Sequence, residues 1–218
     1  MRRSWRMPAS VLPAALLAAL AVPGAALAVT GAPPNLIKNP GAESAPGSGN
    51  GSTVAVPDWA VPSGGTFTAV KYGASGGFPT ASDPGPQSRG ANFFAGGPGS
   101  AVARADQTIS LKSYAGMIAA GASFTLAAWL GGYKAQDDNT TVTIAWEKNS
   151  GAFLGAVMIG PVSAADRHDK TGLLHELTTG TVPHGTQRAV VNVEMSRNEG
   201  SYNDGYADNL SLTVKAES

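Results

Sequence analysis

The 218-residue chain is only 14% charged, while glycine (28) and proline (15) are abundant and cysteine is absent. That balance excludes a coiled coil or helical bundle, which draws on Lys, Glu and Leu runs, and 43% hydrophobic residues exclude wholesale disorder. The formal charge is zero, but Arg2, Arg3 and Arg6 belong to the leader, so the rest of the chain is mildly acidic at −3; nucleic acid and anionic membranes are poor partners for such a surface, because phosphate binding needs clustered Lys and Arg.

Residues 1–28 read as a cleaved export signal. The three arginines precede an apolar run, Val11 to Val22, and Ala26 and Ala28 give the small-x-small pattern of a cleavage site after Ala28. The run is near a dozen residues, short of the roughly 20 that cross a bilayer, and no later segment is long and apolar enough to span one. The expected localisation is secreted or extracellular. With no cysteine, thiol chemistry and cysteine-ligated metals are excluded, and core burial, with a bound metal as the candidate supplement, must supply the stability.

After a lead-in at 29–34, short β-branched and aromatic stretches alternate with Gly, Pro, Asn and Ser. Candidate strands run from Asn35 to Lys38, Thr66 to Tyr72, Asn92 to Ala95, Gln107 to Leu111 and Ser123 to Leu130. Others run from Thr140 to Glu147, Phe153 to Ile159, Leu173 to Thr178, Gln187 to Met195 and Asn209 to Val214. Several alternate with period two, the mark of a half-buried strand: Ala189, Val191, Val193 and Met195 face one way, Arg188, Asn192 and Glu194 the other. About ten short strands, with at most one short helix near Lys112 to Ala120, predict an all-β antiparallel sandwich occupying 35–215 as a single domain. A parallel α/β fold has no room for its helices. Two long loops stand apart, Gly41 to Ser52 and Gly73 to Gly90.

The two ends of this region carry a resemblance. Asn35-Leu36-Ile37-Lys38-Asn39-Pro40-Gly41-Ala42-Glu43 resembles the opening strand of galactose-binding-like jelly rolls, which include bacterial carbohydrate-binding modules, and Tyr206-Ala207-Asp208-Asn209-Leu210-Ser211-Leu212 resembles their closing strand. Asp106 to Leu111 and Phe124 to Leu130 match strands in between. Ala42 stands where the family has a bulky aromatic, so the opening strand is expected to pack less firmly. The resemblance implies a jelly-roll β-sandwich with a structural calcium bound by Glu43 and Asp208 together with backbone carbonyls. The chemistry suits calcium, which takes six to eight hard oxygens. The same two carboxylates also read as turn and cap residues without a metal.

Gly200-Ser201-Tyr202-Asn203-Asp204-Gly205-Tyr206 reads as a loop entering the last strand. Its aromatic faces and planar polar groups suit sugar recognition, so Tyr202, Asn203 and Asp204 are candidate ligand-binding residues, against the plainer reading of a turn whose tyrosines pack on the sandwich edge. Gly131 to Asn139 has similar make-up, adding Tyr133. Its Asp137, Asp138 and Asn139 suggest either a second calcium or a solvated hairpin tip. Trp59 is a candidate stacking platform or an edge plug. Trp129 falls on the face of Thr125 and Ala127 and is a candidate for lining a concave binding face, while Trp146 belongs to the core.

Enzyme motifs are poor. Gly73-Ala74-Ser75-Gly76-Gly77 matches a nucleophile elbow in form, yet it sits in a loop of a β protein. His175-Glu176 has Thr179 where a zinc protease needs its second histidine. Glu147, Glu176 and Glu194 are strand carboxylates, Glu194 being the least poor candidate for glycan cleavage. The expectation is therefore a non-catalytic carbohydrate-binding or cell-surface recognition module with polysaccharide or a cell-surface glycan as partner and calcium as cofactor. The alternatives are a protein-interaction or matrix protein on the same fold, or a glycosidase or polysaccharide lyase.

Overall fold

Alternating burial along nine strands builds two facing antiparallel sheets. The computed structural model describes residues 31–217, so the expected export signal at 1–28 lies outside the described residues. Among the described residues the elements are β1 (Thr68–Lys71), β2 (Asn92–Pro98), β3 (Val102–Ser110), a 3-10 turn (Lys112–Tyr114) running into α1 (Ala115–Ala120), β4 (Ala122–Gly132), β5 (Asn139–Glu147), β6 (Phe153–Ile159), β7 (Gly172–Thr181), β8 (Arg188–Ser196) and β9 (Tyr202–Ala216). They form a five-stranded sheet in the order β1-β2-β9-β4-β7 and a four-stranded sheet in the order β3-β8-β5-β6. This is a jelly-roll β-sandwich.

The main core lies between the sheets. In β5 and β8 the inward set Val142, Ile144, Trp146, Ala189, Val191, Val193 and Met195 is buried, as the period-two pattern predicts. Leu126, Leu130, Leu210, Leu212 and Val214 meet it from the five-stranded sheet. Truncating one such leucine to alanine costs about 2–5 kcal/mol. A second, smaller cluster lies on the opposite, outer face of the five-stranded sheet: Val70, Phe78, Phe93, Ala95, Leu173 and Tyr206, with Tyr72, Ala74, Trp129, Tyr133 and Tyr202 packed around it.

Two segments depart from the sequence pattern. Asn35 to Lys38 is not a strand. It runs beside β9 and is tied there by the Asn35 amide, whose Oδ1 accepts from Leu212 N at 3.0 Å and whose Nδ2 donates to Leu210 O at 2.9 Å. The backbone bonds Leu36 N to Leu212 O and Leu210 N to Pro40 O, at 2.8 and 3.0 Å, add to the tie. Asn39 and Ala42 take φ of 45° and 62°, conformations that break a ladder. Ala42 is fully buried in the main core, which also holds the stacked rings of Phe67 and Phe94, 5.2 Å apart.

The second departure matters more. Tyr202 to Tyr206, expected as part of a loop entering the last strand, already belongs to β9 (Tyr202–Ala216). Its polar residues hide a clean alternation: Tyr202, Asp204, Tyr206 and Asp208 point to the outer face, Asn203, Gly205 and Ala207 inward. A bulge at Asn209, with φ 47°, then reverses the pattern. Ala127 of β4 pairs with Ser211 and Trp129 with Asp208, so β9 carries one extra residue there. Beyond it Leu210, Leu212 and Val214 face the core.

Candidate functional site

The bulge sets Asp208 on the outer face, where it is fully buried. Its Oδ2 accepts from Tyr72 OH at 2.7 Å and its Oδ1 from Asn209 N at 2.7 Å. Burial above all pushes its carboxyl up to about 7, and nearby Glu43 adds to the rise against the two hydrogen bonds. The Tyr72 hydroxyl is raised too, by its own burial first and then by Asp208. Arg89 lies 5.1 Å from the Tyr72 ring centre, but its guanidinium donates to the carbonyls of Pro86, Thr80 and Asp83.

Glu43 approaches from the opening segment. Its oxygens accept from Ala91 N and Asn92 N at 2.8–3.1 Å. Gly41 lies between the two acids: a Cβ there would sit 2.9 Å from Asp208 Oδ1, 3.3 Å from Asn209 Oδ1 and 3.9 Å from Glu43 Cγ. Three oxygen-bearing side chains thus converge on one glycine. Among the described residues no three His, Asp or Glu side chains form a metal cluster, so a cation here must draw part of its shell from amide and carbonyl oxygens. Two hard carboxylates, one of them buried without an ion pair, and an amide oxygen fit calcium in kind.

The residues expected to bind a ligand divide into three groups. Trp59 is a core residue, 7% exposed, with its ring 5.5 Å from Phe94 and its Nε1 donating to Asn39 O at 3.1 Å. A satisfied, enclosed indole is no stacking platform. Asn203 is likewise turned inward: its Nδ2 donates to Met195 O at 2.9 Å and its Oδ1 accepts from Gly205 N. Both expectations are corrected.

Tyr133, Tyr202 and Asp204 do come together, although on a strand and its neighbouring turn instead of two loops. Asp138 joins them. It is fully buried, and its carboxylate accepts from Asn198 N, Glu199 N and Asp204 N at 2.6–2.9 Å. Asp138 is therefore neither part of a solvated hairpin end nor an open cation site, since backbone amides enclose it, while its neighbour Asp137 is exposed. Asp204 Oδ1 accepts from Tyr206 OH at 2.5 Å. Burial raises its carboxyl to about 6, against the pull of that hydroxyl and with Asp138 adding to the rise. Arg167, also buried, donates to the carbonyls of Lys134, Lys170 and Gln136, and burial lowers its pKa. The Tyr202 hydroxyl, Gln136 Oε1 and Arg167 Nε are buried without a hydrogen-bond partner among the described residues.

Trp129 behaves as the strand pattern predicts. It is half-buried on the outer face, between Asp208 of β9 and His175 of β7, with the His175 ring 5.3 Å away. The sheet continues from it in three rows: Ala127 with Ser211 and the exposed Leu177, then Thr125 with Thr213 and Thr179, then Ser123 with Lys215 and Thr181. An open groove runs along Ser123, Thr125, Thr179 and Lys215. A larger groove, about 700 Å³, follows the edge of β3 between Lys38, Asp58 and Asp106. It contains none of the aromatic residues, and Asp106 Oδ1 there already accepts from Asn192.

Two of the three strand carboxylates considered for catalysis are engaged elsewhere, while Glu176 lies on β7 opposite Ala128. Glu194 pairs with Arg104 at 3.2 Å, and Glu147 binds the Arg188 guanidinium. Both lie on the outer face of the four-stranded sheet.

No protein-family model matches the chain, and no curated protein matches it. Among solved structures it is similar to the Stig cyclase Fisc from Fischerella sp. TAU, at 18% identity and TM-score 0.53, covering 84% of this chain and 98% of that one. It is also similar to a Family 16 Carbohydrate Binding Module-2, at 20% identity and TM-score 0.48, over 82% of this chain and 99% of the other. The enzymatically active domain of bacteriophage CBA120 tailspike protein 4 matches 83% of this chain at 18% identity and TM-score 0.47, and the match spans 21% of the tailspike chain. The jelly-roll sandwich is what these comparisons share with the chain.

Proposed function

We propose that this protein is a secreted, non-catalytic module that binds a polysaccharide or cell-surface glycan on the open outer face of its five-stranded sheet. The observation that carries the reading is Trp129: a half-buried indole at the head of a ladder of threonine and serine hydroxyls, with His175 at its side. A sugar ring packs its C–H face on an indole while its hydroxyls bond to short polar side chains. Carbohydrate-binding modules are among the structures of similar fold. Among the described residues no helix is long and apolar enough to cross a membrane.

The reading includes calcium. Glu43, Asp208 and the Asn209 amide oxygen would hold it, with backbone carbonyls completing the shell. When bound, it supplies a positive charge between two carboxylates and fastens the opening segment to β9, the role a disulfide fills in other exported domains.

Affinity gel electrophoresis against a polysaccharide panel in calcium tests the binding claim. Retardation by at least one glycan is expected, lost in Trp129→Ala with the melting temperature nearly unchanged. Retardation by none of them sinks the reading.

A further inference from the structure

The outer-face aromatic cluster is closed by the chain's own Phe78. Its ring is 6% exposed and lies edge-on to Tyr202 at 5.3 Å, 6.1 Å from Tyr206 and 6.2 Å from Phe93. On its far side a Cβ at Gly51 would meet the same ring at 2.5 Å. Tyr202, whose ring it touches, has a hydroxyl that is buried and without a hydrogen-bond partner among the described residues. An orphaned donor in an aromatic enclosure is costly, about 1–3 kcal/mol by mutational measure, unless something occasionally satisfies it.

The segment that carries Phe78 is fastened unevenly. From Thr80 to Ala91 the loop is pinned by the three Arg89 bonds, by Leu173 N to Pro84 O at 2.9 Å and by Asn209 Nδ2 to Ser88 O at 3.0 Å. The tip is held by Gly73 N to Pro79 O, Ala74 N to Lys71 O and Ser75 N to Gly49 O, at 2.8, 3.1 and 3.0 Å, and by Ser75 Oγ to Gly49 O at 3.3 Å. Residues 76–78 take part in none of these bonds. Gly76 and Gly77 take φ of 119° and 88°, conformations open to glycine and strained for other residues. Gly77 lies flat on the Tyr133 ring, where a Cβ would be 2.8 Å from Cε2.

We infer that the tip at 74–78 is a displaceable plug, and that Phe78 occupies a binding pocket for a planar aromatic ring bearing a hydrogen-bond acceptor. The class follows from the occupant and from the walls. Phe93, Tyr202 and Tyr206 already surround a six-membered ring, Tyr202 edge-on and the other two tilted at 51°, and the Tyr202 hydroxyl is free to donate to an acceptor that phenylalanine lacks. Opening requires rotation at Gly76 and Gly77 and the loss of few hydrogen bonds, while the Arg89-pinned half stays in place. The inference stands apart from glycan binding at Trp129, which uses the uncovered part of the sheet.

Phenol and toluene serve as probes. Phenol should bind Phe78→Ala at least tenfold more tightly than wild type, and more tightly than toluene does. In the double variant Phe78→Ala, Tyr202→Phe the preference for phenol over toluene should vanish. In the wild-type protein labelled with fluorophenylalanine, saturating phenol should move the Phe78 resonance to an exposed position. Equal binding of phenol to wild type and Phe78→Ala would overturn the inference. So would a Phe78 resonance that does not move, a measurement that holds even if the alanine variant does not fold. Retention of these results in Trp129→Ala separates this pocket from the glycan face.

Discussion

Glu43 and Asp208, from opposite ends of the described chain, flank the same glycine, Gly41, and do so without a basic side chain bridging them. Neighbouring carboxylates oppose each other's ionisation, and a divalent cation between them reverses the sign of that interaction. Chelation should therefore lower the melting temperature of wild type and leave Asp208→Ala unchanged. At a calcium level a hundredfold above the dissociation constant the difference is about 2.7 kcal/mol. Thermal scans with and without chelator check this, and equal shifts in both proteins would count against the site.

The raised carboxyls of Asp204, about 6, and Asp208, about 7, make a pH prediction. Unfolded aspartate titrates near pH 3.9 (about). The folded protein therefore keeps protons that the unfolded chain has already lost. Their contribution to stability is complete below about pH 4 and is lost as pH rises through 6 and 7. In chelator, stability should fall across that window by up to about 1.4 kcal/mol per pH unit per group. Asp208→Asn should flatten the slope, and added calcium should restore stability mainly above pH 7, where Asp208 is ionised. Denaturant melts at a series of pH values measure it.

Asp138 gathers three backbone amides from two segments, Asn198 and Glu199 before β9 and Asp204 within it. Asp138→Ala orphans all three, with Asp204 N the one that lies within the sheet. A loss of about 3 kcal/mol or more is expected, since each bond to a charged group contributes about 1.5–3 kcal/mol. Asp138→Asn, which keeps one acceptor oxygen, should lose less. Urea unfolding of the three proteins decides the order.

Trp129 and Tyr202 should part company on substitution. Trp129→Ala removes a half-exposed ring from an open face and should abolish glycan retardation at little cost in stability. Tyr202→Ala empties a place in the aromatic cluster beside Phe78 and should destabilise by about 2–4 kcal/mol. A Tyr202→Ala protein that melts like wild type would contradict the packing described for it.

Much of the sandwich was legible because period-two alternation is a local signal. The span Phe153 to Ile159 is the same in sequence and structure, and β4, β5, β7 and β8 differ only by a few terminal residues. The opening segment misled because Asn35 imitates a strand's bonds with its side chain. The first half of β9 misled because its outward residues are tyrosines and aspartates that a second layer, the 72–91 loop, covers. Polar residues in alternation look like a turn until the cover is known. The nearness of Glu43 to Asp208 came from the family resemblance alone. The enclosure of Trp59, the capping by Asp138 and the plugging by Phe78 depend on contacts between distant loops, which no local pattern records.

The extra residue at Asn209 divides the longest strand into two halves whose inside and outside are exchanged. Deleting it would turn one half over as a block, aiming either leucines at solvent or aspartates and tyrosines at the hydrophobic interior. Insertions and deletions near this point should thus be far less tolerated than point changes on either side. The outward-facing threonines and serines beyond it can be varied freely to retune what the surface recognises, while the stretch before it keeps its own chemistry.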